Sequence, residues 1–262
     1  MKIPFVKAHG ARNDFLLTWQ ASLPAGLDRR VAAIAICDRT SGVGADGWNI
    51  LSEDPSADAA IELWNSDGSR SELSGNGTRC CAAHLVATGK SAKTVRVKTG
   101  AGPKQLSLLS QKGNLFTFEM EMGGARIEEM SLDLVPGRTS VILNVGNPQC
   151  AVFVDTFDFD WRALGALIER HPRFPERTNV SFVKTVDSHT LDVLFFERGA
   201  GETMSSGTGS TGAAAAAVSQ GLATYPIRVL TPAGPLELRS EHQSIFLAGP
   251  AEIVAQGEFF LG

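Results

Sequence analysis

Two Ser-Gly-x-Gly segments are the most distinctive chemical feature of this sequence. One begins at Ser74 and the other at Ser206, and small, mostly apolar residues follow each. This pattern predicts a helix with the serine as N-cap, because a serine hydroxyl accepts a hydrogen bond from the first turn. A helix start carries unpaired N–H groups and a partial positive charge, so it binds carboxylates. A purely structural capping role is the alternative for either serine alone, whereas a matched pair favours binding of a small anionic molecule.

Two other kinds of site are weighed against this one. Residues 207–212 satisfy the G-x-G-x-x-G pattern of dinucleotide sites, but that fingerprint needs a strand running straight into the turn. Here residues 197–206 intervene, and the second copy of the segment has Cys80 in place of the third glycine. The five histidines are scattered without metal-ligand spacing. We therefore expect no cofactor and no metal.

Both segments belong to an internal duplication. At an offset of 132 residues, residues 65–89 align without a gap on residues 197–221, and the same register continues from 95–106 to 227–238. Chance agreement between two Gly/Ala-rich stretches is the alternative. Continuity across a turn, a helix and a strand argues against it.

Each copy predicts the same order of elements. A strand (59–64 or 190–196) leads through the turn into a helix that stops at Gly89 or Gly221. A strand broken by Ala-Gly-Pro follows. Helices that are small and apolar all round are buried, so we expect sheet wrapped closely about each of them.

This order predicts an α+β protein of two pseudo-symmetric lobes facing each other across a cleft. A Gly-rich, acidic stretch near residues 122–135 is the predicted linker. The N-terminal lobe would comprise residues 1–124, completed by a C-terminal strand at about 252–262. Residues 125–251 would form the C-terminal lobe.

Composition excludes several classes of protein. The chain of 262 residues is 43% hydrophobic and 20% charged, with a net charge of −4 and no basic stripe, which is typical of a globular protein that binds no nucleic acid. The strongest apolar run, 213–218, is too short to cross a membrane, and residues 1–15 lack the core of a signal peptide. Four cysteines without CxxC spacing indicate a reducing, cytoplasmic environment.

Beyond the helix starts, a series of ordered motifs carries a family resemblance. They are His9-Gly10-Ala11-Arg12-Asn13-Asp14-Phe15, Gly42-Val43-Gly44-Ala45-Asp46, Asn65-Ser66-Asp67-Gly68, Gly75-Asn76-Gly77-Thr78-Arg79-Cys80, Gly146-Asn147-Pro148, Arg173-Phe174-Pro175-Glu176-Arg177-Thr178-Asn179 and Glu197-Arg198-Gly199-Ala200-Gly201-Glu202-Thr203. In this order, and over nearly the whole chain, the sequence resembles diaminopimelate epimerase.

The resemblance implies two lobes, each a mixed β-sheet rolled around a central helix. It also implies interconversion of LL- and meso-diaminopimelate, on the route to lysine and peptidoglycan, without cofactor or metal. One catalytic residue removes the Cα proton and its counterpart on the other lobe returns one to the opposite face. These two catalytic positions are Ser74 and Ser206 here. The partner is then a small amino acid, with no nucleic acid or membrane, and a homodimer is left open.

The resemblance also assigns substrate-binding residues in three groups. The α-carboxylate is assigned to Gly75, Asn76, Gly207 and Thr208. The reacting amino-acid head is assigned to Glu197 and Arg198. The rest of the substrate is assigned to Asn13, Asn65, Asn147 and Asn179. Turn formation by the asparagines and a surface Glu–Arg ion pair are the alternatives.

The two serines depart from the family, whose catalytic bases are cysteines. A thiol starts near pKa 8.5, which a helix N-terminus can lower to about 3.5–7.5, whereas an alcohol starts close to water, roughly 15.7. Lowering the pKa to 7 requires a shift of more than about 8 units, or more than ~11 kcal/mol, and proteins usually manage about 3–5 units. A serine could therefore act only as a relay to a neighbouring base. The candidates are Glu72, Glu197 and Glu202.

Two further positions differ: Gln149 stands where the family usually has histidine, and Gly47 where glutamine is common. Three interpretations remain open. The serines are an engineered pair, or a natural member isomerises an amino acid with another base, or the chain binds a small molecule without turnover. Gln149 and Gly47 speak against engineering, because a designer would have no reason to change them as well.

Overall fold

The computed structural model describes residues 1–135 and 137–262, except for the side chains of 131–133. The chain divides into two units, residues 1–120 with 249–262, and residues 121–248. In the first unit lie β1 (Lys2–Gly10), β2 (Asn13–Trp19), a 3-10 turn (Gln20–Ser22), α1 (Arg29–Cys37), β3 (Gly47–Asp54), β4 (Ala57–Asn65), β5 (Arg70–Ser71), α2 (Gly75–Ala87), β6 (Thr94–Thr99) and β7 (Gly102–Lys112). The strand β8 (Leu115–Gly123) runs across the boundary in sequence.

The second unit repeats this order. It contains β9 (Arg126–Val135), β10 (Arg138–Asn144), β11 (Pro148–Phe153), α3 (Trp161–Glu169), β12 (Asn179–Asp187), β13 (Thr190–Glu197), β14 (Gly201–Thr203), α4 (Gly207–Ser219), β15 (Ile227–Thr231) and β16 (Gly234–Glu241), and the long β17 (Ser244–Phe260) leads back to the first. The strands predicted at 59–64 and 190–196 are β4 and β13, so both predictions are confirmed.

The strand pairings show the duplication directly. Along β1-β2-β3-β4-β6-β7-β8 the pairs are antiparallel, parallel, antiparallel, parallel, antiparallel and antiparallel. Along β10-β11-β12-β13-β15-β16-β17 the same succession recurs. Each unit is therefore built on a mixed sheet, and the α+β prediction is confirmed.

One helix is enclosed by the strands of each unit. The side chains of 76–85 in α2 and of 209–217 in α4 are buried, and α2 contacts β1, β2, β3 and β6 while α4 contacts β10 to β13. Alanine and glycine let the strands approach closely. The expected glycine stops, Gly89 and Gly221, adopt φ of 70° and 68°, the left-handed conformation that ends a helix.

The predicted linker at 122–135 is wrong, because most of it is strand. The residues 126–135 form β9, which pairs antiparallel with β10. Exposed Arg126, Glu128 and Met130 alternate with half-buried Ile127 and Glu129. Glu128 thus lies on the outer side of a period-two pattern and Glu129 on the half-buried side, an alternation that composition alone could not distinguish from a linker.

Candidate active site

Both Ser-Gly-x-Gly segments begin helices with the predicted cap. Ser74, at φ −129° and ψ 120°, accepts a hydrogen bond from Gly77 N–H at 3.1 Å. Ser206, at φ −134° and ψ 124°, accepts one from Gly209 N–H at 3.0 Å. The capping prediction is confirmed for both serines.

The cap bond uses the third amide of each helix. The first two amides belong to the predicted carboxylate-binding pairs, Gly75 with Asn76 and Gly207 with Thr208, and helix geometry gives them no intrahelical partner. These donors, with the helix dipole behind them, suit a carboxylate.

A strand packs tightly under each helix start. A Cβ on Gly77 would lie 3.0 Å from Asn49 Nδ2, and one on Gly209 would lie 2.7 Å from Phe195 Cδ1. The Gly77 carbonyl accepts from Asn49 at 3.4 Å, and the Gly209 carbonyl accepts from Ser181 at 3.5 Å. A side chain at position 209 would therefore displace its neighbours, and one at position 77 would make a tight contact.

In the first unit, a chain of amides reaches the Ser74 helix. The Asn76 amide donates to Asn13 Oδ1 at 3.1 Å, and the Asn13 amide donates to Asp46 Oδ2 at 2.6 Å. Asp46 in turn accepts from Arg39 at 2.7 Å. The structure thus joins Asn13 to the helix start. The Asn65 amide instead donates to Ser69 Oγ at 2.9 Å within its own turn.

Arg79 is a residue whose importance the sequence did not reveal. It is fully buried, its Nη2 donates to Asn76 Oδ1 and its Nε donates to Pro250 O at 3.2 Å. Nη1 is buried without a partner among the described residues, 3.9 Å from where a Cβ of Gly75 would lie. Burial lowers the pKa of Arg79 to about 10, so it remains a cation at neutral pH. A lone arginine in a small-residue helix was the signal that could have identified it.

In the second unit, the structure selects one of the three candidate bases. Ser206 Oγ donates to Glu197 Oε1 at 2.6 Å. Glu202 is paired with Arg162 at 2.6 and 2.8 Å, and Glu72 is exposed. Glu197 is therefore the carboxylate positioned to take a proton from a capping serine.

The surroundings of Glu197 favour its basic function. The residue is half-buried, with its carboxyl group enclosed by protein. Burial raises the pKa of Glu197, while the hydrogen bond from Ser206 opposes that rise by stabilising the charged form. A carboxylate with a raised pKa is a stronger base than an ordinary one.

Replacing Glu197 with glutamine is expected to raise the free energy of unfolding at neutral pH. A carboxyl group whose folded pKa exceeds its unfolded pKa stabilises the fold below the unfolded value, and that stability is lost as pH rises through the folded pKa. The gain should therefore be present at about pH 8 and absent near about pH 3, below the usual carboxyl range.

Urea unfolding at both pH values measures this difference. Glu202→Gln is the matched control, since Glu202 is exposed, and it should show no gain at high pH. A Glu197→Gln gain of equal size at both pH values would contradict the prediction.

The remaining predicted residues of this unit lie around the same helix start. Asn147 donates to Thr208 Oγ1 at 3.5 Å. Asn179 Oδ1 accepts from the Arg198 backbone N–H at 3.0 Å, and the Arg198 guanidinium donates to the Glu176 carbonyl at 3.1 Å. In the described part of the chain, Arg198 forms no ion pair with Glu197, so the alternative of a Glu–Arg pair is not found.

Gln149 occupies the position where the family usually has histidine. It is 2% exposed, and its amide donates to Asn147 Oδ1 at 2.8 Å. Its Cγ lies 3.2 Å from where a Cβ of Gly212 would be. Gln149 therefore orients a predicted binding residue and fills the space beside α4.

Two other kinds of feature were searched for among the described residues. No group of three or more His, Cys, Asp or Glu side chains could hold a metal ion there. No helix in that part of the chain has the length and apolar character needed to cross a membrane.

Comparisons with known proteins agree with this geometry. The diaminopimelate epimerase family profile matches residues 5–128 and 141–254. The diaminopimelate epimerase of Pelotomaculum thermopropionicum is 37% identical, over 97% of this chain and 98% of its own. That of Archaeoglobus fulgidus is 34% identical, over 98% and 96%.

Solved structures with little sequence identity share the fold. A PhzF-family phenazine biosynthesis protein from Bacillus anthracis superposes with a TM-score of 0.74 at 14% identity, covering all of both chains. A hydroxyproline epimerase from Agrobacterium vitis, with bound trans-4-hydroxy-L-proline, gives 0.72 at 14%, covering 98% of this chain and 92% of its own. With its matched sheets, its two N-capped helix starts and relatives aligned from end to end, this chain belongs to the diaminopimelate epimerase family.

Proposed function

We propose that this protein is a cofactor-independent amino-acid isomerase that interconverts LL- and meso-diaminopimelate. The observation that carries the proposal is the pair of N-capped helix starts at Ser74 and Ser206 in a member of this family. Each start offers two amides to a carboxylate, and each is surrounded by retained binding residues. Its place would be the biosynthesis of lysine and peptidoglycan.

The chemistry follows from the helix starts. Removing the Cα proton leaves an electron pair that delocalises into the α-carboxylate, so negative charge grows on the carboxylate oxygens. Preorganised N–H donors stabilise that charge more than they stabilise the ground state. The four cysteines, all free and buried, support a cytoplasmic location.

A second candidate function is binding without turnover. It is favoured by Ser74 and Ser206 at the positions of the two bases, and by Gln149, which is already bound to Asn147 at 2.8 Å. Calorimetry with meso-diaminopimelate and with lysine, which lacks the second amino-acid head, tests the shared claim of binding. Chiral chromatography after incubation with LL-diaminopimelate separates turnover from binding. If another amino acid gave a heat of binding and diaminopimelate gave none, the assignment of diaminopimelate as substrate would be wrong.

Asn76→Asp is expected to weaken diaminopimelate binding about tenfold or more, the equivalent of ~1.4 kcal/mol. The substitution places a negative charge on the second residue of α2 and beside Arg79, where it competes with the substrate carboxylate. Gln105→Glu is the control: it adds the same charge at an exposed site and keeps its contact with Arg96. Equal affinities for the two variants, measured by calorimetry, would argue against carboxylate binding at this helix.

A further inference from the structure

The two helix starts have opposite electrostatic character at equivalent positions. At the offset of 132 residues, Glu197 in the second unit corresponds to Asn65 in the first. Arg79 in the first unit corresponds to Thr211 in the second. A carboxylate therefore adjoins the Ser206 helix, whereas a buried guanidinium adjoins the Ser74 helix.

The Ser206 hydroxyl is arranged as a proton relay. Its oxygen accepts from Gly209 N–H at 3.0 Å and donates to Glu197 at 2.6 Å. A hydroxyl has two lone pairs, so one remains to accept a proton from a substrate while the hydroxyl proton passes to the carboxylate. Ser206 is itself 4% exposed, and its two hydrogen bonds set the orientation of the hydroxyl.

The Ser74 hydroxyl has no such acceptor. It accepts from Gly77 N–H at 3.1 Å, and within the described residues it donates to no carboxylate. The amide of Asn65, which occupies the place of Glu197, is bound to Ser69. Arg79 adds a positive charge beside the first residue of this helix, which suits the binding of an anion.

We propose, on the basis of the proposed function, that the Cα proton is removed from one face only, by Ser206 relaying to Glu197, while the Ser74 start binds substrate and stabilises charge. The Cα–H bond breaks and its proton bonds to Ser206 Oγ, as the serine proton moves to Glu197. The electron pair stays on the substrate, delocalised into the α-carboxylate. Reversal returns a proton to the same face. Inversion requires the weakly acidic Ser74 hydroxyl to donate its proton to the opposite face, which leaves an alkoxide that takes a proton from water while Glu197 releases its proton to water. Inversion is therefore the slow event.

Incubation in D₂O with LL- and meso-diaminopimelate tests this inference, with NMR reporting exchange and chiral chromatography reporting inversion. The meso compound carries one centre of each hand. We expect deuterium to be incorporated at Cα centres of one configuration only. The rate of incorporation should exceed the rate of inversion by about 10²-fold or more, since a positioned base contributes about 10²–10⁴-fold. Equal exchange rates at centres of both configurations, or an inversion rate equal to the exchange rate, would overturn the one-sided relay. Either result would leave the epimerase proposal intact.

Variants test Glu197 itself. Glu197→Gln should slow exchange by about 10²–10⁴-fold, and Glu202→Gln, whose side chain is held by Arg162, should exchange at the parental rate. The exchange rate of the parent protein should fall as the pH is lowered through the pKa of Glu197. The slow exchange of Glu197→Gln should show no such pH dependence. The neighbouring charged residue, Arg198, is directed at the Glu176 carbonyl, so it does not account for this pH dependence.

A thiol at position 206 distinguishes a relay role of Glu197 from a purely structural one. Adding Ser206→Cys to Glu197→Gln should restore exchange, because a thiolate is its own base. Parental exchange in Glu197→Gln alone would overturn the relay. Absence of exchange at either hand would also overturn it, and calorimetry on the same sample then shows whether the substrate assignment fails as well.

Discussion

A variant carrying both Ser74→Cys and Ser206→Cys is expected to exchange and invert the diaminopimelate Cα centre faster, by about 10²–10⁴-fold. A thiol at the start of a helix has its pKa lowered from about 8.5 toward 7 or below, whereas the pKa of an alcohol lies far above neutral pH. Both serines already sit at N-cap positions, 3.0–3.1 Å from a backbone donor. Inversion should gain more than exchange, because Ser74 adjoins no carboxylate among the described residues and the thiol supplies a base there.

The control for this variant is Ser219→Cys, which adds a thiol at the C-terminal end of α4. There the dipole disfavours a thiolate, so no acceleration is expected. The measurement is deuterium incorporation and LL-to-meso conversion on the same samples. No gain in the double variant would show that the rest of the site has diverged, and adding Gln149→His would then test the most conspicuous difference.

Gly209→Ala is expected to destabilise the protein by about 1–3 kcal/mol, the usual cost of inserting a methyl group into a packed core. The new Cβ would lie 2.7 and 2.9 Å from the Phe195 ring and 3.0 Å from Ser206 Cβ. Phe195 is 1% exposed, so its ring has no space into which to move. The shift would fall on Ser206, and we expect exchange to decrease along with stability.

Gly207→Ala, two residues earlier in the same helix, is the matched control for folding. Its Cβ would meet nothing closer than Leu247 at 3.9 Å, and alanine is favoured over glycine in a helix by about 1 kcal/mol. Urea unfolding should show this variant as stable as the parent or more so. Equal stabilities of Gly209→Ala and the parent would contradict the tight packing under the Ser206 helix.

Local signals account for what could be predicted correctly. The serine caps, the small-residue helices and the glycine stops depend on interactions within a few residues, and such interactions are encoded by sequence spacing. The duplication is visible because both copies kept the same register from Asn65 to Gly89 and from Glu197 to Gly221. The pairing order of the strands then repeats in each unit.

The errors and omissions concern contacts between residues distant in the sequence. The stretch 126–135 has the composition of a linker, and its pairing with β10 makes it a strand. Arg79 is noteworthy only because burial removes it from water and leaves Nη1 without a partner among the described residues. The strand partner of 126–135 and the burial of Arg79 both depend on residues far away in the sequence, although a lone arginine among small residues is a local hint.

The sequence by itself determined that two capped helix starts exist, that serine stands in both, and that an unaided serine cannot be the base. Only the tertiary structure decided which carboxylate adjoins which serine. Glu72, Glu197 and Glu202 are equal candidates by spacing, and the return of β13 to the start of α4 brings Glu197 within 2.6 Å of Ser206. In the first unit the place of Glu197 is taken by Asn65, whose amide is bound to Ser69. The residue type at each equivalent position can be read from the sequence, whereas the contacts of its side chain depend on the fold of the whole unit.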